Sequence, residues 1–241
     1  MLLHPKCFNP VEPIPSGAFL WPWQRSISIH SANFQIKYKA QQTTSLVFDL
    51  RKSTIALEQL PSKEIAEFSP FIKKIVFDAK EAILDYGGFF DKETGDGVVG
   101  HFVNFDDPSG SLELNTAVQR SFEAALAIVR KTSITCNQFQ AKLRFGIENL
   151  GASVGLHTGD AVWMTEDNEI RAIGESAIMA SRLCDEAPCR SVFLSNSFFN
   201  DLKNCVGAER MTKFYKKSYS GKEIKDGAGL YGFVLEVSDT M

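Results

Sequence analysis

The stretch Gly87-Gly-Phe-Phe-Asp-Lys-Glu-Thr-Gly-Asp-Gly-Val-Val-Gly-His-Phe102 places two short apolar runs on either side of a polar tip. Phe89–Lys92 and Val98–Phe102 read as strands, and Glu93-Thr94-Gly95-Asp96-Gly97 as the tight turn between them. A hairpin requires antiparallel pairing. Just upstream, Ile72, Ile75, Val76, Ala79, Ile83 and Leu84 recur at helical spacing. Ser69-Pro70 supplies a cap and a first-turn proline for that helix, and Gly87-Gly88 ends it. Tight strand pairs mixed with alternating strands and helices predict an α+β domain. Its central sheet is mostly antiparallel and flanked by helices, not doubly wound and parallel.

The rest of the chain reads in the same terms. Ser45–Leu50 is a short apolar run, a buried strand, and Thr54–Leu60 is a short helix closed by Pro61. Asp106–Ser111 is a polar loop, and Asn115 caps a helix with Ala117, Val118, Phe122, Ala125 and Val129 on its apolar face. Ala152–Met164 and Glu169–Ile173 are strands around a turn at Thr165–Asn168. Ser176–Asp185 is helical and Ser191–Leu194 a strand. Ser195 or Asn196 caps a helix through Leu202, and Leu230–Val237 is the last strand. Pro5, Pro10, Pro13, Pro15 and Pro22 make residues 1–33 an irregular lead-in, leaving 34–241 as the domain. Phe19, Leu20, Trp21 and Trp23 are too apolar for a free tail and are expected to pack on the domain or on a partner.

Composition narrows the function classes. A net charge of −3 over 241 residues gives no bulk electrostatic reason to bind nucleic acid. The cysteines, Cys7, Cys136, Cys184, Cys189 and Cys205, are odd in number and form no Cys-x-x-Cys pair. That argues against a disulfide framework or zinc site and fits a reducing cytosol. No apolar run approaches the ~20 residues of a membrane span, so a soluble, cytoplasmic protein is expected. His4, His30, His101 and His157 are too few and scattered for a histidine metal centre, and His157, in an apolar strand, reads as structural.

Two acids carry the candidate chemistry. In Phe48-Asp49-Leu50-Arg51-Lys52-Ser53-Thr54 an acid ends a strand just before a helix start, where free backbone amides can seat phosphates. Asp96 sits on the glycine-rich hairpin tip. Two carboxylates on adjacent strand ends can clamp two divalent cations, which activate a hydroxyl and stabilise a leaving phosphate.

These two blocks resemble the metal-binding blocks of the class III adenylate and guanylate cyclases. Downstream, Val154-Gly155-Leu156-His157-Thr158-Gly159 is similar to that family's Gly-x-His-x-Gly strand. Ile173-Gly174-Glu175-Ser176-Ala177-Ile178-Met179-Ala180-Ser181-Arg182-Leu183 is similar to its strand-to-helix catalytic block. The blocks occur in family order over residues 45–200. The resemblance implies a cyclase catalytic domain with a ferredoxin-like core, working as a head-to-tail homodimer with active sites at the interface. It implies that Asp49, Asp96 and the Leu50 carbonyl hold two Mn²⁺ or Mg²⁺ ions, and that Phe48, Leu50 and Arg51 to Thr54 (Arg51, Lys52, Ser53, Thr54) cradle a nucleoside triphosphate. From the other subunit, Lys92 would read the base and Arg182 would neutralise the transition state. Lys222 falls where the family has a triphosphate-binding lysine, although with Lys213, Lys216, Lys217 and Lys225 it reads equally as a solvated face.

Two positions depart from the family. The ribose-orienting Asn is replaced by Ile178, and the second base-reading position is Arg171. Arginine offers only donors, which suits uracil carbonyls better than the adenine amino group. With these departures the chain resembles the pyrimidine cyclases of bacterial Pycsar antiphage systems, which make cyclic UMP or cyclic CMP to activate a separate effector. UTP is the favoured substrate, with CTP next. An adenylate cyclase and an inactive nucleotide-sensing homologue remain as alternatives.

Overall fold

The computed structural model describes residues 39–60, 65–104, 116–141, 146–166, 169–207, 211–219 and 230–237. The lead-in at 1–33, the loop at 106–111, Asn115 and Lys222 lie outside them. The described chain runs β1 (Lys39–Arg51), α1 (Ser53–Gln59), α2 (Ile65–Asp85), β2 (Phe89–Glu93), β3 (Val98–Phe102), α3 (Ala117–Gln140), β4 (Gly151–Glu166), β5 (Glu169–Gly174), α4 (Glu175–Glu186), β6 (Ser191–Ser195), α5 (Asn196–Val206), β7 (Tyr215–Tyr219) and β8 (Leu230–Glu236). One sheet holds the order β2-β3-β1-β4-β6-β8-β7, with β5 paired to the far half of β4. Among the described strands only β4 and β6 pair in parallel. This is the α+β arrangement, with a mostly antiparallel sheet, expected from the hairpin and its neighbours.

Side-chain alternation on the central strands sorts the two faces of the sheet. Leu46, Phe48 and Leu50 on β1, Val98 and Phe102 on β3, and Val154 and Leu156 on β4 share one core cluster with α2, α3 and α5. Phe48 is wholly buried there, and each such side chain contributes roughly 1.5–3 kcal/mol. The alternate residues, Val47 and Val99, pack instead with Ala180 and Cys184 of α4. Gly155 makes that close packing possible: a Cβ there would stand 2.0 Å from the Ala180 carbonyl oxygen. One helix therefore lies directly across this face, and a cavity opens beside it.

Several local expectations are corrected. The helix expected to open at Ser69-Pro70 already runs from Ile65, with Pro70 inside it. Phe68 packs 5.7 Å from Phe71 and 6.1 Å from Phe139, ring to ring, which offsets the amide that Pro70 lacks near the helix start. At the other end of α2, Gly87 and Gly88 return hydrogen bonds to Leu84 and Ile83 as expected. Thr116, not Asn115, caps α3, its hydroxyl accepting from the Gln119 amide. Gly159 and Asp160 lie inside β4 opposite Thr43 and Gln42, within the strand expected over Ala152–Met164. Part of the lysine-rich segment is a strand: β7 pairs with β8. There the ammonium of Lys216 sits 3.4 Å over the Tyr231 ring, and Lys217 donates to the Glu186 carbonyl. An edge strand tolerates such lysines because its outer side faces solvent.

Candidate active site

Asp49 stands near the end of β1 with its side chain on the α4 face, about one-third exposed (37%). Its pKa is raised, first by burial and then by Asp96; Asp185 adds to the effect, and Arg51 opposes it. The two acids singled out in the sequence are thus electrostatic neighbours. Gly97 brings them together, because the hairpin closes against β1 so tightly that a Cβ there would lie 2.3 Å from the Phe48 carbonyl oxygen. The guanidinium of Arg51 stands 3.8 Å from Asp49 and also donates to the Cys184 carbonyl, tying the end of β1 to α4.

Beside this pair opens a cavity of about 610 Å³ between β1, β2, β5 and α4. Phe48, Asp49, Lys92 and Arg182 all line it, so four predicted site residues converge on one space. Leu50, Arg51, Lys52, Ser53, Thr54, Asp96 and Arg171 are not among its lining residues. Leu50 is buried at 1% exposure and has only its main chain to offer a ligand. Lys52 precedes α1 in the left-handed conformation, φ 66°, with no side-chain cap on that helix. Arg171 is half-buried on β5 opposite Met164. Ile178, in place of a polar side chain, lines the cavity and is 53% exposed.

Three lining residues escaped the sequence reading. Asp185 faces the cavity near Asp49. Its signal was present, since Ile178, Arg182 and Asp185 follow helical spacing along one stripe. Cys184 also lines the cavity, but burial pushes its thiol up to about 12 and it donates to the Ser153 carbonyl, so it is no nucleophile. Asp91 is the third. It is the extra residue of a bulge in β2, between Phe90 opposite Gly100 and Lys92 opposite Val99. His157 is buried as expected, with Nδ1 2.8 Å from the Ser195 hydroxyl.

The donor set fits a divalent cation. Asp96 disfavours the charge on Asp49, and a cation between them would relieve this. Among the described residues no three His, Cys, Asp or Glu side chains gather as a metal group. Two carboxylates and a main-chain carbonyl would leave the remaining positions to phosphate oxygens or water.

No family model and no curated protein sequence matches this chain. Solved structures do. The adenylyl cyclase CyaB from P. aeruginosa aligns at 19% identity and a TM-score of 0.63, over 85% of this chain and 100% of that one. The guanylyl cyclase Cya2 aligns at 18% and 0.62, over 83% and 95%. A dimeric guanylyl cyclase domain of the RhoGC fusion protein from Blastocladiella emersonii aligns at 14% and 0.55, over 84% and 98%. With nearly the whole of each of these chains matched, this protein has the fold of the class III adenylyl and guanylyl cyclase catalytic domains.

Proposed function

We propose that the protein is a nucleotidyl cyclase that converts a nucleoside triphosphate to its 3′,5′-cyclic monophosphate and diphosphate. The observation that carries this is the meeting of Asp49 and Asp96 beside a cavity that Lys92 and Arg182 also line, within a cyclase fold. A fold alone does not specify chemistry; the side chains of the site carry it.

In the proposed reaction the substrate's 3′-oxygen attacks the α-phosphorus, the bond to the β-phosphate bridging oxygen breaks, and the 3′-hydroxyl proton leaves to solvent. Asp49, Asp96 and the Leu50 carbonyl would hold two Mn²⁺ or Mg²⁺ ions. Bound there, the ions would acidify the 3′-hydroxyl and neutralise the departing diphosphate. Arg51 to Thr54 would steady the triphosphate, with Lys222 reaching a phosphate. Arg182 would meet the charge that grows on the transferring phosphorus, where an aimed guanidinium is worth orders of magnitude in rate. Lys92 would read the base. The exposed Ile173 and Ile178 on this face suit a second copy of the chain, giving a homodimer with shared sites.

The finer reading is a pyrimidine cyclase acting on UTP, or next CTP, whose product activates a separate effector in cytoplasmic antiphage defence. Ile178 supports it, because a site without a polar group there departs from the purine enzymes. Incubating the pure protein and Mn²⁺ with each of the four triphosphates tests both levels. Cyclic UMP or CMP as the main product is expected. A preference for ATP or GTP sinks the pyrimidine reading, and no cyclic product from any of them sinks the cyclase reading.

A further inference from the structure

Asp91 has no role in the reaction as described, yet its environment is built. Its side chain is 5% exposed, and its Oδ2 lies 3.4 Å from His101 Nε2. His101 is itself 1% exposed, with Nδ1 2.9 Å from the Ser45 hydroxyl, which donates onward to Ser176 at 2.8 Å. Trp163 closes edge-on against the His101 ring at 5.8 Å. The other oxygen, Oδ1, is buried and has no hydrogen-bond partner, while the residue lines the cavity. A buried acceptor left unpaired is costly. The residue that carries the orphan atom lines the space that the proposed substrate enters.

Oδ2 is the oxygen turned to His101 Nε2, which leaves Oδ1 to accept a hydrogen bond. Asp91 is no metal ligand for its own chain's Asp49. The two stand on β2 and β1 with β3 between them, about 10 Å apart at ordinary strand spacing. A carboxylate also repels a triphosphate. The donors left on a nucleotide are the ribose hydroxyls and the N–H groups of the base. Lys92, the next residue along the strand, also lines the cavity.

We infer that Asp91 is a specificity-determining residue. Held by the His101–Ser45–Ser176 chain, its Oδ1 accepts an N–H of the substrate's base while Lys92 donates to the neighbouring acceptor. The inference rests on the cyclase reading and deepens it. It gives the site an acceptor, which Arg171 cannot be. An acceptor and a donor at fixed places separate amino bases from keto bases. Cytosine and adenine carry an amino donor beside a ring nitrogen, whereas uracil and guanine reverse that order.

The test measures kcat/KM for all four triphosphates with Mn²⁺, and in parallel their Kd. In the wild type one member of each pair, CTP against UTP and ATP against GTP, is favoured. In Asp91→Ala the amino-to-keto ratio moves toward one by at least about tenfold. Asp91→Asn, whose amide can donate to Nε2 and keep its oxygen toward the cavity, retains the ratio. Should Asp91→Ala not fold, Asp91→Ser, which leaves His101 a hydroxyl, is read the same way. On the wild type, the favoured triphosphate should bind at least about tenfold better than its analogue with the base donors methylated. A uniform fall on all four nucleotides with unchanged ratios, or equal binding of the methylated analogue, overturns the inference. The Kd arm needs no turnover, so absence of cyclic product would sink the cyclase reading while the role of Asp91 is still decided.

Discussion

Gly97 lies against the carbonyl oxygen of Phe48 so closely that a single added carbon would stand 2.3 Å from it. The contact joins the hairpin tip to the end of β1 and sets the spacing of Asp96 and Asp49. Gly97→Ala must push the tip away. It is expected to destabilise the fold by about 1–3 kcal/mol, the usual range for overpacking, and to lower turnover at least about tenfold. Urea unfolding and a product assay on the same preparation check both. Full activity would mean that the spacing of the two acids is unimportant.

Asp49 sits half-buried beside two other acids, so its charge opposes the fold. Its folded pKa is raised above 3.8. The stabilising effect of the protonated form is present at low pH and is lost as pH rises through the folded pKa. At neutral pH Asp49→Asn removes the burden. Its Tm is expected to equal or exceed that of the wild type while turnover disappears. Asp49→Ala and Asp96→Ala are likewise expected to abolish turnover and remain folded by circular dichroism. An active Asp96→Ala enzyme would break the metal assignment.

Asp49 and Arg182 line one cavity within a single chain, but the proposed dimer completes each site with Arg182 from the partner. Mixing Asp49→Ala with Arg182→Ala chains distinguishes the two arrangements. A shared site restores up to about a quarter of wild-type activity, since half the random dimers are mixed and each has one intact site. No recovery in a verified heterodimer means that each chain works alone.

Burial depresses the pKa of His157 below 6.5, while the Glu175 carboxylate, 3.8 Å away and beyond hydrogen-bonding range, acts in the opposite direction. A lowered folded pKa means that the unfolded chain binds the extra proton first. The associated stability is present above pH 6.5 and is lost as pH falls through the folded value. The contribution to the slope is at most about 1.4 kcal/mol per pH unit. His157→Gln should flatten the stability profile below pH 6.5, read as Tm against pH. An unchanged slope would show that His157 does not titrate with unfolding.

Much of the fold was legible because its signals are local. The hairpin at 87–102, the helical spacing from Ile72 to Leu84 and the apolar run at β1 each follow from chain geometry over a few residues. The misread places are those where distant packing overrides local preference. Pro70 lies inside α2 because Phe68 and Phe71 reach Phe139, and β7 forms because β8 is there to pair with it.

The site divides in the same way. Asp49, Asp96, Lys92 and Arg182 stand in recognisable blocks, so sequence by itself selected them and the order of the elements that bear them. Which acids meet, and what else borders the cavity, depends on strand pairings between residues some fifty and a hundred positions apart, such as Val47 with Val99 and with Gly155. Only the tertiary structure placed Asp185 near Asp49 and laid α4 on Gly155. It alone turned Asp91 into the cavity, because a bulge is a mismatch between two strands and neither strand encodes it alone.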